Sequence, residues 1–152
     1  MKKNKATVIW TAVIVLVLAG LFLYPKLNSS KSSPSVPCLF PNLPLAEHIH
    51  PRLVILVDGV SEPIPAEIGL SAACERALHT HKDDAAEGVI HIESQSRRKY
   101  TLGDFFNVWG RDIDRPGYRL EAAIEGASAA DPAGIILKDG EEILLKYTKA
   151  DE

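Results

Sequence analysis

The chain has 152 residues, 46% hydrophobic and 24% charged, a composition that fits one folded domain and excludes a fully disordered chain or a multi-pass membrane protein. Beyond the first five residues, 14 Lys and Arg stand against 20 Asp and Glu, a net charge of −6. Because nucleic-acid phosphates bind clustered Lys and Arg, this acidic balance argues against a nucleic-acid partner.

An apolar stretch without charge follows the N-terminus. Residues 1–5 are predicted to be a cytoplasmic N-terminus, and residues 6–25 a transmembrane signal anchor that holds the chain in the membrane. The stretch is long enough for a helix to cross a hydrocarbon core of about 30 Å, and three lysines precede it. A cleaved signal peptide is the alternative, but its apolar region is shorter and Tyr24-Pro25-Lys26 is a poor cleavage site. Both interpretations place the body of the chain outside the cytoplasm.

A polar segment separates the apolar stretch from the rest of the chain. Residues 26–44 are predicted to be a Ser- and Pro-rich linker, because the serine-rich part buries too little apolar area to fold and the prolines favour an extended chain. Residues 45–152 are then expected to form the extracytoplasmic domain.

The domain is predicted to begin with strands. Arg52 to Val57 is apolar and β-branched, which favours a strand, and Asp58-Gly59 favours a tight turn because glycine tolerates positive φ. Ser61 to Ile68 is the predicted second arm, and its two prolines place it at a sheet edge because they cannot donate sheet hydrogen bonds. Further on, Ser71 to Leu78 fits either a short helix or a loop, and Gly88 to Glu93 is predicted to be a strand.

One helix is predicted from Leu102 to Trp109. The apolar side chains of this segment recur at the spacing of one helical face, which is more typical of core packing than of cofactor binding. Thr101 followed by Asp104 matches a capping box at its start. Gly110 favours a left-handed end.

More strands are predicted after the helix. Tyr118 to Glu125 is a weak strand, and Ile135 to Lys138 with Ile143 to Tyr147 flank Asp139-Gly140 as a second hairpin. Hairpins outnumber helices, and no long helix is predicted that would connect parallel strands. The predicted fold is α+β: a mainly antiparallel sheet of hairpins with one main packed helix, following an N-terminal transmembrane helix. A β-grasp-like arrangement fits this order of elements.

All five histidines lie between positions 48 and 91. They include two His-x-His pairs, and alternate residues of a strand point to the same face, so each pair brings two imidazoles together. Imidazole and carboxylate groups are ligands for zinc and copper. The candidate metal ligands are the five histidines and two carboxylates that follow histidines at alternate positions, namely His48, His50, His79, His81, His91, Asp83 and Glu93.

The histidine pattern has two other interpretations. A metal-free polar or pH-sensing cluster is consistent with the titration of imidazole near neutral pH, and coincidence on the surface is the simplest alternative. Metal binding is preferred because two pairs and a fifth histidine fall within one short window of the chain.

The segment from His48 to Gly110 resembles a known sequence pattern. HTHKDDAAEGVIHIES followed by YTLGDFFNVWG is similar to the HTHD…GxIHxES…TLGxFFxxWG pattern of a poorly characterised group of bacterial membrane-anchored or exported proteins. EHIHPRLVILVDG is similar to an upstream HxHxxLxIxxxG hairpin of that group. The chain departs from the pattern by Lys82 after His81 and by a longer stretch before Gly88. The resemblance implies that the histidine positions are patterned, and it implies no activity.

Cys38 and Cys74 are the only cysteines. Outside the cytoplasm, two cysteines favour a disulfide. A thiolate ligand at Cys74 beside the histidines and two unpaired thiols are the alternatives, and sequence spacing does not decide among the three.

Three functions of different classes fit these features. The preferred one is a membrane-tethered extracytoplasmic metal-binding module that senses, buffers or delivers copper or zinc. The alternatives are a metal-independent interaction or assembly factor with a protein partner in the envelope, and a zinc-dependent hydrolase with Glu93 as general base. No nucleophile elbow, P-loop, GxGxxG or CxxC motif occurs in the sequence, so no enzyme class is indicated.

Overall fold

A computed structural model describes residues 36–150 of the chain. The predicted cytoplasmic segment, the predicted anchor and the first part of the predicted linker lie outside the described residues. Among residues 36–150, no helix is long and apolar enough to cross a membrane. In chain order the elements are β1 (Glu47–Ile49), β2 (Arg52–Val57), β3 (Val60–Ser61), β4 (Leu70–Ser71), β5 (Cys74–Glu75), β6 (Leu78–His79), a 3-10 turn (Ala85–Glu87), β7 (His91–Ser94), α1 (Leu102–Trp109), β8 (Tyr118–Ile124), β9 (Ala127–Ala129) and β10 (Glu142–Lys149).

The strands form three sheets, in the orders β1-β7-β6, β3-β2-β10-β8-β9 and β4-β5. Every strand pairing in them is antiparallel except that of β2 with β10. The predicted α+β class, with mainly antiparallel sheets and one α-helix, is confirmed for residues 36–150. The β-grasp-like arrangement stays a prediction.

β10 is the central strand of the five-stranded sheet. Its alternate residues Ile143, Leu145 and Tyr147 are buried, as the two-residue period of a strand requires. On one side it pairs in parallel with β2, and on the other it pairs antiparallel with β8. Segments from the beginning and the end of the described domain therefore meet in the middle of one sheet.

The predicted second hairpin around Asp139-Gly140 is wrong. Ile135 and Leu137 are buried, but they belong to no strand, and the backbone N–H of Leu137 donates to the carbonyl of Tyr100. The segment before Asp139 cannot pair with β10, because β2 and β8 already pair with its two edges.

The first predicted hairpin forms with a shorter second arm than predicted. Asp58 and Gly59 make the turn with positive φ values of 49° and 81°, and β3 lies at the sheet edge as predicted. The strand ends at Ser61 because Pro63 and Pro65, which follow it closely, have no N–H to donate.

Two strand pairs were not predicted. The ambiguous segment around Ser71 contains the β4-β5 pair and the start of β6, and a turn at Glu125-Gly126 joins β8 to β9. β7 begins at His91, later than the predicted Gly88, because Gly88 has a left-handed φ of 88° and ends the 3-10 turn.

The helix α1 is confirmed, with both predicted ends. The side chain of Thr101 accepts from the N–H of Asp104 and the carboxylate of Asp104 accepts from the N–H of Thr101, which completes the capping box. Gly110 ends the helix with a φ of 74°. Phe105 is fully buried, whereas Trp109 is half-buried beneath the guanidinium of Arg111.

The approach to the domain is packed against it. Val36 is buried, and its carbonyl accepts from the guanidinium of Arg76. A disulfide joins Cys38 to Cys74, as the sequence favoured. Val36 and Leu39 therefore pack against the core of the domain, although both lie inside the range predicted as linker.

Removal of this disulfide should destabilise the domain by about 3–4 kcal/mol, since it closes a loop over a sequence separation of 36 residues and restricts the unfolded chain. Chemical unfolding of the double variant Cys38→Ser/Cys74→Ser, beside the oxidised parent, measures the difference. Reductant should lower the stability of the parent and leave that of the double variant unchanged. Equal stability of parent and variant would contradict a stabilising role.

Candidate metal centre

Five imidazole rings meet at one end of the sheet β1-β7-β6. His91 begins β7, and antiparallel pairing places it beside the ends of β1, with His48 and His50, and of β6, with His79 and His81. The ring centroid of His91 lies 4.7 Å from that of His50, 4.5 Å from that of His81 and 5.6 Å from that of His79. His91 is therefore the centre of the histidine cluster.

His79 is fully buried, and the backbone fixes its ring. Nδ1 lies 2.8 Å from the carbonyl oxygen of Arg76, which only accepts, so Nδ1 donates and Nε2 of the neutral ring carries a lone pair. Nε2 of His81 lies 3.1 Å from Nε2 of His79. Two imidazoles bound tetrahedrally to one zinc ion have nitrogens about 3.3 Å apart. In the metal-free protein this contact is a hydrogen bond between the two rings, and its length is also close to the spacing of two ligands of one ion.

His91 is held by a carboxylate. Its Nε2 lies 2.7 Å from Oδ2 of Asp84, and Nε2 must be the donor to an ionised carboxylate. Nδ1 then carries the lone pair of the neutral ring, yet it is buried and has no hydrogen-bond partner within residues 36–150. An unpaired buried acceptor costs free energy, and a bound cation would remove that cost. A carboxylate that orients a metal-binding histidine in this way is common in metal sites.

Glu93 lies between the histidines of the two outer strands. It faces His48 across the β1-β7 pair, with 3.3 Å between Oε1 and Nε2 of the histidine. A carboxylate oxygen of Glu93 also lies within 4.8 Å of ligand atoms of His79, His81 and His91. Glu93 is therefore placed to supply an oxygen ligand and one negative charge.

The predicted ligands form two groups that share His91. In each group the candidate ligand atoms all lie within 4.8 Å of one another. Asp83 belongs to neither group, and its side chain is exposed. We call the first set the inner group and the second the outer group; they consist respectively of His79, His81, His91 and Glu93, and of His48, His50 and His91.

The surroundings of His79 and His50 favour neutral imidazoles. Burial lowers the pKa of His79, and the neighbouring His81 lowers it further, against the opposing effect of the bond to the carbonyl of Arg76. Burial also lowers the pKa of His50, with the nearby His91 and His48 acting in the same direction. A neutral imidazole is the form that binds a metal ion.

The lowered pKa of His79 predicts how stability depends on pH in the metal-free protein. Below about pH 6.5 this histidine binds a proton in the unfolded chain, whereas its lowered pKa keeps it neutral in the folded domain. The free energy of unfolding should therefore decrease as pH falls from about 7.5 to about 5.5. Urea unfolding in the presence of a chelator at both pH values measures this loss. The loss should be smaller in His79→Asn, which has no imidazole at this position; an equal loss would assign the effect to other groups.

The disulfide limits which atoms of the chain can bind a metal ion. Both cysteines are consumed by it, which excludes a thiolate at Cys74, and Met1 is the single methionine. The candidate ligands are therefore imidazole nitrogens and carboxylate oxygens. This set suits Zn²⁺ and Cu²⁺ and lacks the sulfur ligands that Cu⁺ prefers.

Two acidic contacts of the cluster were not predicted. Asp84 holds His91, and Oε1 of Glu75 lies 3.7 Å from Nε2 of His79. Asp83 was predicted because alternate residues of a strand share a face. The chain instead turns after His81, and the carbonyl of His81 accepts a hydrogen bond from the N–H of Ala85. The turn brings the next carboxylate, rather than the alternate one, to the histidines.

Substitution of Asp84 by alanine should lower metal affinity about 10- to 100-fold, the usual effect of losing a partner that orients a metal ligand. The identical change at the exposed neighbour Asp83 is the matched control and should leave affinity unchanged. Competition titration with a zinc chelator compares the two. Equal affinities of the two variants would show that the contact with His91 does not contribute.

Comparison of the chain with protein-family models, with curated proteins and with solved structures finds no match. The resemblance to membrane-anchored or exported bacterial proteins stays a prediction. Function is therefore inferred from the geometry of the histidine cluster.

Proposed function

We propose that the protein is a membrane-tethered, extracytoplasmic metal-binding module that senses, buffers or delivers Zn²⁺ or Cu²⁺. One observation carries the proposal: Nε2 of His79 and Nε2 of His81 lie 3.1 Å apart, and the ring of His91, whose buried Nδ1 has no partner among the described residues, lies with its centroid 4.5 Å from that of His81. His79 and His91 each have one ring nitrogen engaged by an oxygen acceptor, which leaves the other nitrogen free to bind an ion.

The inner group provides three nitrogens and one carboxylate oxygen. Four such donors complete a tetrahedral zinc site, the arrangement typical of sites that hold an ion rather than catalyse a reaction. This supports binding over hydrolysis, and Glu93 is assigned as a ligand rather than as a general base.

The proposed location has separate support. The Cys38–Cys74 disulfide is typical of proteins outside the cytoplasm. The apolar, uncharged residues 6–25, which lie outside the described range, are long enough for an anchor. An accessible site at the end of a sheet would then lie on the outer side of the membrane.

Metal titration of the full chain in detergent tests the function. Zn²⁺ and Cu²⁺ should each bind near one equivalent and raise the melting temperature, because an ion that binds only the folded state stabilises it. Binding should weaken below about pH 6.5, where imidazoles become protonated. Absence of binding for both ions, with an unchanged melting temperature, would overturn the proposal.

A metal-independent interaction or assembly factor is the second candidate. The exposed fractions of Phe40 and Leu43 are 67% and 56%, which leaves large apolar side chains in solvent. The apolar face of α1 does not serve this purpose, because Phe105 and Phe106 are buried in the core. A chain that binds no metal would leave this candidate as the better account.

A further inference from the structure

We infer that the ion passes between solvent and the inner group through the outer group, by exchange of ligands around His91. The inference rests on the proposed metal binding and adds a route to it. The outer group would be the entrance and exit, and the inner group the position where the ion stays.

The shared histidine argues for two alternative positions of one ion. Asp84 engages Nε2 of His91, so Nδ1 is the one ring nitrogen left to bind a metal. A single lone pair binds one ion at a time. While Asp84 keeps its contact, the inner and outer groups therefore cannot both be filled with His91 as a ligand.

Exposure gives the route a direction. The side chain of His48 is 50% exposed and that of His79 is not exposed at all. Neighbouring ring centroids are 4.6 Å apart from His48 to His50, 4.7 Å from His50 to His91 and 4.5 Å from His91 to His81. Both histidines of the outer pair are exposed, whereas one member of the inner group is buried and the other three are half-buried. The proposed route therefore assigns the first contact with an ion from solvent to the outer pair.

The balance of donors favours the inner position. The inner group adds a carboxylate and a fourth donor, whereas the outer group has three neutral nitrogens. Glu93 connects the two, because it contacts His48 at 3.3 Å and also belongs to the inner group. Movement of Glu93 from His48 to the ion would free the outer histidine and complete the inner site.

The test separates rates from equilibrium. Stopped-flow mixing of the full chain with Zn²⁺ gives the rate of binding, and transfer to an excess of a chromophoric chelator gives the rate of release. In the double variant His48→Asn/His50→Asn, both rates should fall about tenfold or more, each factor of ten being about 1.4 kcal/mol of barrier. The dissociation constant is the ratio of the two rates, so it should change much less than either rate and should not rise.

A ligand of the holding site should behave differently. His79→Asn, which removes one inner nitrogen, should raise the dissociation constant chiefly through faster release. Unchanged rates in the double variant, a weakened equilibrium in it, or binding of two equivalents by the parent would each overturn the route. A parent that binds neither Zn²⁺ nor Cu²⁺ would overturn the proposed function itself, whereas a parent that binds one equivalent of Zn²⁺ with unaltered variant rates would overturn the route alone.

Discussion

Replacement of His79 by asparagine should lower zinc affinity about 100-fold or more, because the loss of a ligand should exceed the 10- to 100-fold typical of an outer-shell partner. The asparagine amide nitrogen sits at the same distance along the side chain as Nδ1, so it can still donate to the carbonyl of Arg76. The change then removes Nε2, the nitrogen that lies 3.1 Å from His81. Competition titration against a chelator of known affinity measures the effect.

Two variants frame this result. His81→Asn should weaken binding comparably, since its Nε2 is the other member of the pair. Asp83→Asn, a predicted ligand that the fold leaves exposed, should bind zinc as the parent does. Parent-like affinity in both histidine variants, with folding checked by near-ultraviolet circular dichroism, would remove the inner group as the binding site.

Replacement of Phe105 by alanine should lower the free energy of unfolding by about 3–5 kcal/mol. The side chain is fully buried in α1, with its ring centroid 6.2 Å from that of Phe106 and 5.9 Å from that of Trp109, and its removal leaves a cavity. Total stability of a domain of this kind is about 5–15 kcal/mol, so the loss is a large fraction of it. Urea unfolding measures the change.

The same helix offers a matched control. Asn107 is exposed on α1, and its change to alanine should alter stability by less than about 0.5 kcal/mol. Trp109→Ala should cost less than Phe105→Ala, because Trp109 is half-buried. If Phe105→Ala unfolds at the same urea concentration as the parent, the packing of α1 contributes little to the domain.

The elements that sequence predicted well are those determined within a few residues. The capping box of Thr101 and Asp104 specifies the start of α1 without reference to the rest of the chain. Asp58-Gly59 likewise specifies its turn through backbone conformation. Local chemistry is enough in both cases, so both predictions are confirmed.

The partner of β10 depends on distant residues, and this prediction was wrong. Asp139-Gly140 carries a turn signal, but hydrogen bonds with β2 and β8 on both sides of β10 outweigh it. The carboxylate of the candidate metal centre shows the same limit. An extended chain predicts Asp83, whereas the turn after His81 brings Asp84 to His91. Clustering of the histidines in sequence indicated the centre, but the three strands that assemble it are paired by tertiary structure.

The central position of β10 has a consequence for the order in which the domain is completed during synthesis. All of the strands that carry histidines precede β10 along the chain, yet the five-stranded sheet lacks its middle until β10 arrives. Long-range and parallel pairings form slowly, because the chain loses conformational entropy before the new contacts stabilise it. As the chain is synthesised from its N-terminus, the histidine-bearing segments are therefore made before the core that supports them is closed.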